Sequence, residues 1–281
     1  MLRTRILTAL VLVPVVLAAL FLLPPRGFGV AMLAAILVAA REWSRLAALS
    51  APTQWLFLGG IMLLGAGLLF LPATGFGRGW PSVVVLATCG ASALFWLLVA
   101  PFWVTQRWPT TRTGPMVVVG WIVLIGAWVA LVELQSRSPW LVLAAMAIVW
   151  IADTAAYFSG RAFGRTKLAP QISPGKTWEG VYGGLAAVGV YALFLLLFAR
   201  EAGFSAAIGA LAVAVWLAFA LIVTGISVFG DLFESLLKRH AGVKDSGNLL
   251  PGHGGVLDRT DALLAAMPLV AVAAQLFLAK P

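Results

Sequence analysis

The sequence predicts an all-α, polytopic integral membrane protein with about nine transmembrane helices and a cytoplasmic N-terminus. Three observations lead there. Of 281 residues, 62% are hydrophobic and 10% charged, with mean hydropathy +1.02, which leaves too little polar side chain to coat a soluble domain. The apolar residues gather into runs of bilayer-crossing length. The basic residues fall mostly on one side once each run is counted as a crossing.

In order, the runs are roughly 6–23, 28–46, 54–72, 80–103, 115–133, 139–158, 178–199, 204–230 and 262–279. The first ends in Pro24-Pro25-Arg26, not in a small-residue cleavage pattern, so it reads as an uncleaved span. The second is the weakest. Its apolar part ends near Ala40, and Arg41-Glu42-Trp43-Ser44-Arg45 continue as a polar-faced turn. Gly59-Gly60 and Gly183-Gly184 read as points of close helix approach. Pro14 and Pro268 fall inside runs and can kink them. Trp43, Trp55, Trp80, Trp96, Trp103, Trp108, Trp140 and Trp178 stand near run ends and read as an interfacial aromatic belt. Cys89 is the lone cysteine, which excludes a disulfide framework and a thiolate metal site. It reads as a packing residue.

No repeat, low-complexity segment or soluble domain interrupts this pattern. The chain reads as a single membrane domain, 1–281. Residues 1–140 supply helices, and 141–281 carry helices with two polar loops, 159–177 and 231–261. Fourteen Lys and Arg fall on the N-terminal side, including those of both polar loops; five, namely Arg26, Arg78, Arg137, Arg200 and Lys280, fall on the other. The positive-inside rule therefore places the N-terminus and both loops in the cytoplasm. The net charge of +9 serves orientation and anionic substrate. No basic–aromatic stripe of a nucleic-acid-binding module is present, so no nucleic-acid partner is expected.

The loop from Asp231 to Asp261 concentrates the chain's polar chemistry. If the preceding helix continues into it, Asp231, Glu234, Ser235 and Lys238 share one face and Leu232, Phe233, Leu236 and Leu237 take the other. Pro251-Gly252-His253-Gly254-Gly255 must turn. Asp258 and Asp261 follow at the mouth of the last run. Carboxylates brought together there suit Mg²⁺, and glycine-rich N–H groups beside Lys238, Arg239, Lys244 and Arg259 suit phosphate. The second polar stretch starts at Asp153, an acid near the end of an apolar helix and so a functional candidate. Its Gly175-Lys176-Thr177 mimics the end of a Walker A loop. That motif needs glycine where Pro170 stands, and a preceding strand, so it is rejected. Lys176 can still neutralise phosphate.

These two stretches resemble the phosphatidate cytidylyltransferases (CDP-diacylglycerol synthases). The residues that carry the resemblance are Ser235, Lys238-Arg239, Lys244-Asp245, Gly247, Leu250-Pro251, His253-Gly254-Gly255 and Asp258-Arg259-Thr260-Asp261. Upstream they are Asp153, Gly160-Arg161, Phe163-Gly164, Ser173-Pro174, Lys176-Thr177 and Glu179-Gly180. Together they cover about a quarter of the chain; the first 140 residues resemble the family only in pattern.

The resemblance implies transfer of a cytidylyl group from CTP to phosphatidate, giving CDP-diacylglycerol and pyrophosphate for phospholipid synthesis. It implies Mg²⁺ held by Asp231 and Asp258, with Asp261 beside or behind them, and leaves room for a second cation. Catalytic roles fall to Asp231, Asp258, Asp261, Lys238 and Arg259. Substrate binding falls to Lys176, Ser173, Arg239, Lys244, Asp245, His253, Gly254, Gly255 and Asp153. The expected setting is a bacterial inner membrane with the site facing the cytoplasm, and a homodimer is compatible with it. Two other readings stand beside this one. Another lipid-phosphate nucleotidyltransferase or a polyprenol kinase would share the phosphate chemistry. A secondary transporter would share an intramembrane acid such as Asp153.

Overall fold

The computed structural model of the chain describes residues 2–71, 75–76, 79–201 and 209–278. Positions 72, 204–208 and 279 of the predicted runs lie outside them, as do Arg78 and Lys280. The helices are α1 (Leu2–Leu22), α2 (Pro25–Leu46), α3 (Ala51–Phe70), α4 (Ser82–Leu94), α5 (Ala100–Gln106), α6 (Thr113–Arg137), α7 (Pro139–Phe163), α8 (Trp178–Glu201), α9 (Ala210–His240) and α10 (Leu257–Phe277). A π-turn at Phe95–Val99 joins α4 and α5 into one rod. Among the described residues eight rods are long and apolar enough to cross a membrane, and α1 adds a shorter apolar stretch, Leu7–Leu22. Their outward faces keep Leu56, Leu63, Val83, Val190 and Leu211 exposed, as suits helices whose solvent is lipid.

Helix α6 is the hub, packed against α2, α4 and α10, and its Val123, Leu124, Trp128, Val129 and Val132 are fully buried. Small residues let neighbours close on it. A Cβ on Gly120 would lie 2.7 Å from Trp43 Nε1, and that nitrogen donates to Met116 O at 3.0 Å. Trp128 Nε1 likewise donates to Gly29 O at 2.9 Å. Helices α7 and α8 form an antiparallel pair through their own small residues: a Cβ on Gly180 or Gly184 would lie 2.9 or 3.0 Å from the carbonyls of Ala156 or Ala152. The predicted close approach at Gly183-Gly184 is therefore present. At Gly59-Gly60 only Gly60 serves packing, against Trp121, while Gly59 faces open space.

The tryptophans depart from the predicted belt. Trp55, Trp108, Trp140 and Trp178 are exposed, but Trp43, Trp80, Trp96 and Trp103 are buried. Trp43, Trp96 and Trp103 ring Phe233 of α9 at centroid distances of 5.6 to 6.0 Å, so these rings are core, not anchors. The polar loop 159–177 also contains a hairpin. Strand β1 (Lys167–Ala169) pairs antiparallel with β2 (Ser173–Thr177), Lys167 opposite Thr177 and Ala169 opposite Ser173. Glu179 locks its base by accepting the Thr166 N–H at 3.1 Å.

Polar groups collect at both ends of the bundle. At the end away from the hairpin, Glu133 accepts the Trp80 N–H at 2.9 Å and pairs with Arg137 at 3.1 Å. Arg137 in turn donates to Ala274 O and Leu278 O. Helices α9 and α10 overrun the predicted apolar limits at the hairpin end, because their extra turns carry the acids and bases of the polar loop.

Candidate active site

At the hairpin end, α7, β2, α8, α9, the loop 241–256 and α10 enclose a cleft of about 710 Å³. Among its lining residues are eleven of those the sequence singles out: Asp153, Ser173, Lys176, Asp231, Lys238, Arg239, Lys244, Asp245, Asp258, Arg259 and Asp261. The two polar stretches, far apart in sequence, therefore form one site.

Helix periodicity builds the α9 wall. Asp231, Glu234, Ser235 and Lys238 share a face, as predicted, while Leu232, Phe233, Leu236 and Leu237 pack inward. Ser235 Oγ donates to Asp231 Oδ1 at 3.3 Å, and Lys176 Nζ crosses from β2 to Asp231 Oδ2 at 2.7 Å. Lys238 Nζ lies 2.5 Å from Glu234 Oε2 and 2.7 Å from Asp258 Oδ1. Helix α9 stops where Gly242, at φ +69°, lets Val243 N donate back to Lys238 O at 3.0 Å. Arg239 Nε donates to Ile172 O at 3.0 Å and pins the hairpin tip to α9. His240 Nδ1 lies 2.9 Å from Thr110 Oγ1, tying the same helix end to the loop before α6.

The α10 wall begins with Asp258. Its Oδ2 accepts the Ser246 N–H at 2.8 Å, the Ser246 hydroxyl at 2.9 Å and the Gly255 N–H at 2.8 Å. With Lys238 on Oδ1, both oxygens are engaged. Asp261 accepts the Ala262 N–H at 2.8 Å through Oδ1 and lies within electrostatic range of Asp231. Gly230 brings these two acids together: a Cβ there would lie 2.7 Å from Asp261 O, so α9 and α10 touch at that point. Asp153 stands on α7, also within electrostatic range of Asp231.

His253, Gly254 and Gly255, expected at substrate, do not line the cleft; they form the turn behind it. Gly254 has φ +83°, and a Cβ on it would lie 2.6 Å from Asp258 Oδ2. His253 O accepts from Arg259 Nε at 3.0 Å. Their effect on the site runs through Asp258 and Arg259. The cleft also holds residues to which the sequence assigns no role. Tyr157 accepts from Arg161 Nη1 at 3.2 Å, and Thr177 Oγ1 accepts from Gly180 N at 3.2 Å. Glu42 of α2, which looked like part of a polar turn, is buried against the loop. A lone acid in a weak apolar run carries no sequence signal for this.

The carboxylates bear on the Mg²⁺ expectation. Among the described residues no three Asp, Glu, His or Cys side chains converge to hold an ion. Asp258 spends both oxygens within the protein. Asp231 also has both oxygens engaged, by Ser235 and Lys176, but its pair with Lys176 is part-exposed and can open to an ion. With Asp261 in electrostatic range it fits Mg²⁺, an ion held by one or two carboxylates with substrate phosphates completing its shell.

Residues 3–277 match the model of the cytidylyltransferase family. The chain is similar to the phosphatidate cytidylyltransferase of Pseudomonas aeruginosa, 41% identical over 283 residues covering 96% of each chain. It is 37% identical to that of Haemophilus influenzae, covering 95% of this chain and 96% of the relative. It is 36% identical to that of Brucella suis, covering 96% and 92%.

The two lysines should behave differently when their charge is removed. Lys238→Met leaves Glu234 and Asp258, both 4% exposed, without a counter-charge. It is expected to destabilise the protein by about 3–5 kcal/mol. Lys176→Met breaks a pair 26% and 32% exposed and is expected to cost about 1 kcal/mol or less. Unfolding in detergent micelles measures both; equal losses would contradict the structural role given to Lys238.

Proposed function

This chain belongs to the cytidylyltransferase family, and from that premise we propose that the cleft is its active site. The chain transfers a cytidylyl group from CTP to phosphatidate, giving CDP-diacylglycerol and pyrophosphate. One observation carries the assignment to the cleft: six cations, Arg161, Lys176, Lys238, Arg239, Lys244 and Arg259, line it together with the acids Asp231 and Asp261 at one end of an apolar bundle. Such a site can hold a lipid phosphate and a triphosphate together.

A phosphatidate oxygen attacks the α-phosphorus of CTP. A new P–O bond forms to it, and the bond to the β-phosphate oxygen breaks, its electron pair leaving with pyrophosphate. The attacking phosphate is already ionised, so no general base is required. The work is positioning and charge neutralisation. Lys176, Lys244 and Arg259 reach the cleft from three elements and hold phosphate oxygens. Lys238, fixed between Glu234 and Asp258, presents a charge whose place does not wander. Arg239 holds the hairpin, and so Lys176, over the site. Asp231 and Asp261 would hold Mg²⁺, which when bound supplies further neutralisation of phosphoryl charge.

The arrangement in the membrane follows from charge and contact. Thr8 Oγ1 of α1 donates to Pro251 O at 2.9 Å, so the N-terminal end of α1 lies beside the site. With α1 as the ninth crossing, the basic side, the N-terminus and the cleft share the cytoplasmic face of a bacterial inner membrane. CTP then reaches the cleft from water and phosphatidate from the adjoining leaflet.

Purified protein with labelled CTP, Mg²⁺ and phosphatidate is expected to yield CDP-diacylglycerol and pyrophosphate. Diacylglycerol in place of phosphatidate is expected to yield none, because it lacks the attacking phosphate. Asp231→Asn is expected to lower turnover at least ~100-fold, the size of loss that follows removal of one preorganised charge-stabilising group. Equal pyrophosphate release with either lipid, or a fully active Asp231→Asn, would overturn the reading.

Orientation is checked by cysteines in a Cys89→Ser background. Gln171→Cys and Ala241→Cys, both at exposed positions, should be labelled from the cytoplasmic side, and the exposed Gly209→Cys from the other. Labelling of the first two from opposite sides would contradict a single shared site.

A further inference from the structure

The N-terminal half of the chain contributes no residue to the two polar stretches, yet α2 delivers one carboxylate to the loop behind the cleft. Glu42 is 4% exposed. Its Oε1 accepts the Val256 N–H at 3.1 Å, and its Oε2 accepts the Leu257 N–H at 2.8 Å and the Ser246 hydroxyl at 3.1 Å. Val256 and Leu257 open α10, where backbone N–H groups have no partner within the helix and a negative charge is favoured. Among the residues whose side chains are described, no Lys or Arg stands within ion-pair distance of Glu42. Its charge is met by these donors and the helix N-terminus.

Two glycines are shaped around it. A Cβ on Gly247 would lie 2.6 Å from Glu42 Oε1, and one on Gly255 would lie 2.5 Å from both oxygens. No larger residue fits at either place without displacing the carboxylate. The opposite flank is equally fixed. Trp43, the next residue, stacks on Phe233 of α9 and donates to Met116 O. Glu42 is therefore held between the helix that carries Lys238 and the helix that carries Asp258.

Ser246 makes the connection to the site. Its hydroxyl lies 3.1 Å from Glu42 Oε2 and 2.9 Å from Asp258 Oδ2, so one proton is shared between two carboxylates. We propose that Glu42 is a positioning residue for cytidylyl transfer: through Ser246 and the first turn of α10 it fixes Asp258, and through Asp258 it fixes the Lys238 ammonium. This rests on the reading of the cleft as the active site. Such positioning acts on the chemical step, since displacing a charged group by about 1 Å at a reacting centre can cost on the order of 100-fold in rate.

Two variants of the full-length protein test it. Glu42→Gln keeps the shape but turns an amide N–H₂ toward donors. Ser246→Ala removes the hydroxyl shared by the two carboxylates, and with it one donor to Asp258, but leaves Glu42 on Val256 and Leu257. Both are measured for kcat, for KM with CTP and with phosphatidate, and for thermal midpoint, with rates normalised to folded protein. Each is expected to lower kcat by about 10-fold or more with either KM changed less than about 3-fold, the pattern of an interaction felt in the transition state. Ser246→Ala is expected to keep a near-native midpoint, and the double variant to be no slower than Glu42→Gln alone. Wild-type kcat in Ser246→Ala overturns the proposal, as does a loss in either variant that normalisation abolishes. If Glu42→Gln does not fold, Ser246→Ala decides. A wild-type protein that makes no CDP-diacylglycerol would instead overturn the reading of the cleft.

Discussion

The ion pairs of Lys238 are the interaction on which the rest of the site depends. One ammonium lies 2.5 Å from Glu234 and 2.7 Å from Asp258, and both carboxylates are 4% exposed. Two buried acids against one base would be a liability in an apolar bundle unless other donors shared the charge. Here they do. Ser246 and Gly255 donate to Asp258, and the start of α10 adds its dipole. The end of α9 is thereby fastened to the beginning of α10. Gly230 closes the same two helices one turn deeper and brings Asp231 beside Asp261.

Membrane and chemistry pull the chain in compatible directions. Lipid excludes unpaired polar groups from the middle of the bundle, so charge collects at its two ends. Glu133 and Arg137 consume theirs in holding helices together. At the other end the cations outnumber what the acids can pair, and the surplus faces a cleft. Where the cleft wall is buried, as at Lys238 and Asp258, its charges act more strongly than they would in water. A phosphate on a lipid and a phosphate on a nucleotide can then be brought together against their mutual repulsion.

Much of this is legible in the sequence, for reasons that are local. Runs of some twenty apolar residues announce helices because a bilayer leaves the backbone few other choices. The i, i+3, i+4, i+7 placement of Asp231, Glu234, Ser235 and Lys238 announces one polar face. What stayed hidden depends on contacts between distant segments. Trp43, Trp80, Trp96 and Trp103 look like interfacial anchors because a ring near a span end has the same spacing whether it points to lipid or to core. The hairpin is invisible because strands of three and five residues leave almost no alternation to read. His253, Gly254 and Gly255 look like a phosphate cradle, yet Asp258 presses against Gly254 and Glu42 against Gly255, where no Cβ fits. Glu42 itself is more than 200 residues from its partners, a separation across which local pattern says nothing.

The central chemical claim is that the cleft brings two substrates together and lets them react directly. Of the hydroxyls that line it, Ser235 donates to Asp231 and Thr177 accepts from Gly180. Neither of the chain's two histidines lines the cleft to serve a hydroxyl as general base. The stereochemical course at phosphorus tests this most directly. With CTP made chiral at the α-phosphorus by a single sulfur, one direct in-line displacement inverts the configuration in the CDP-diacylglycerol formed. Inversion is the expected result. Retention would mean two displacements through a cytidylyl-enzyme, and would contradict direct transfer.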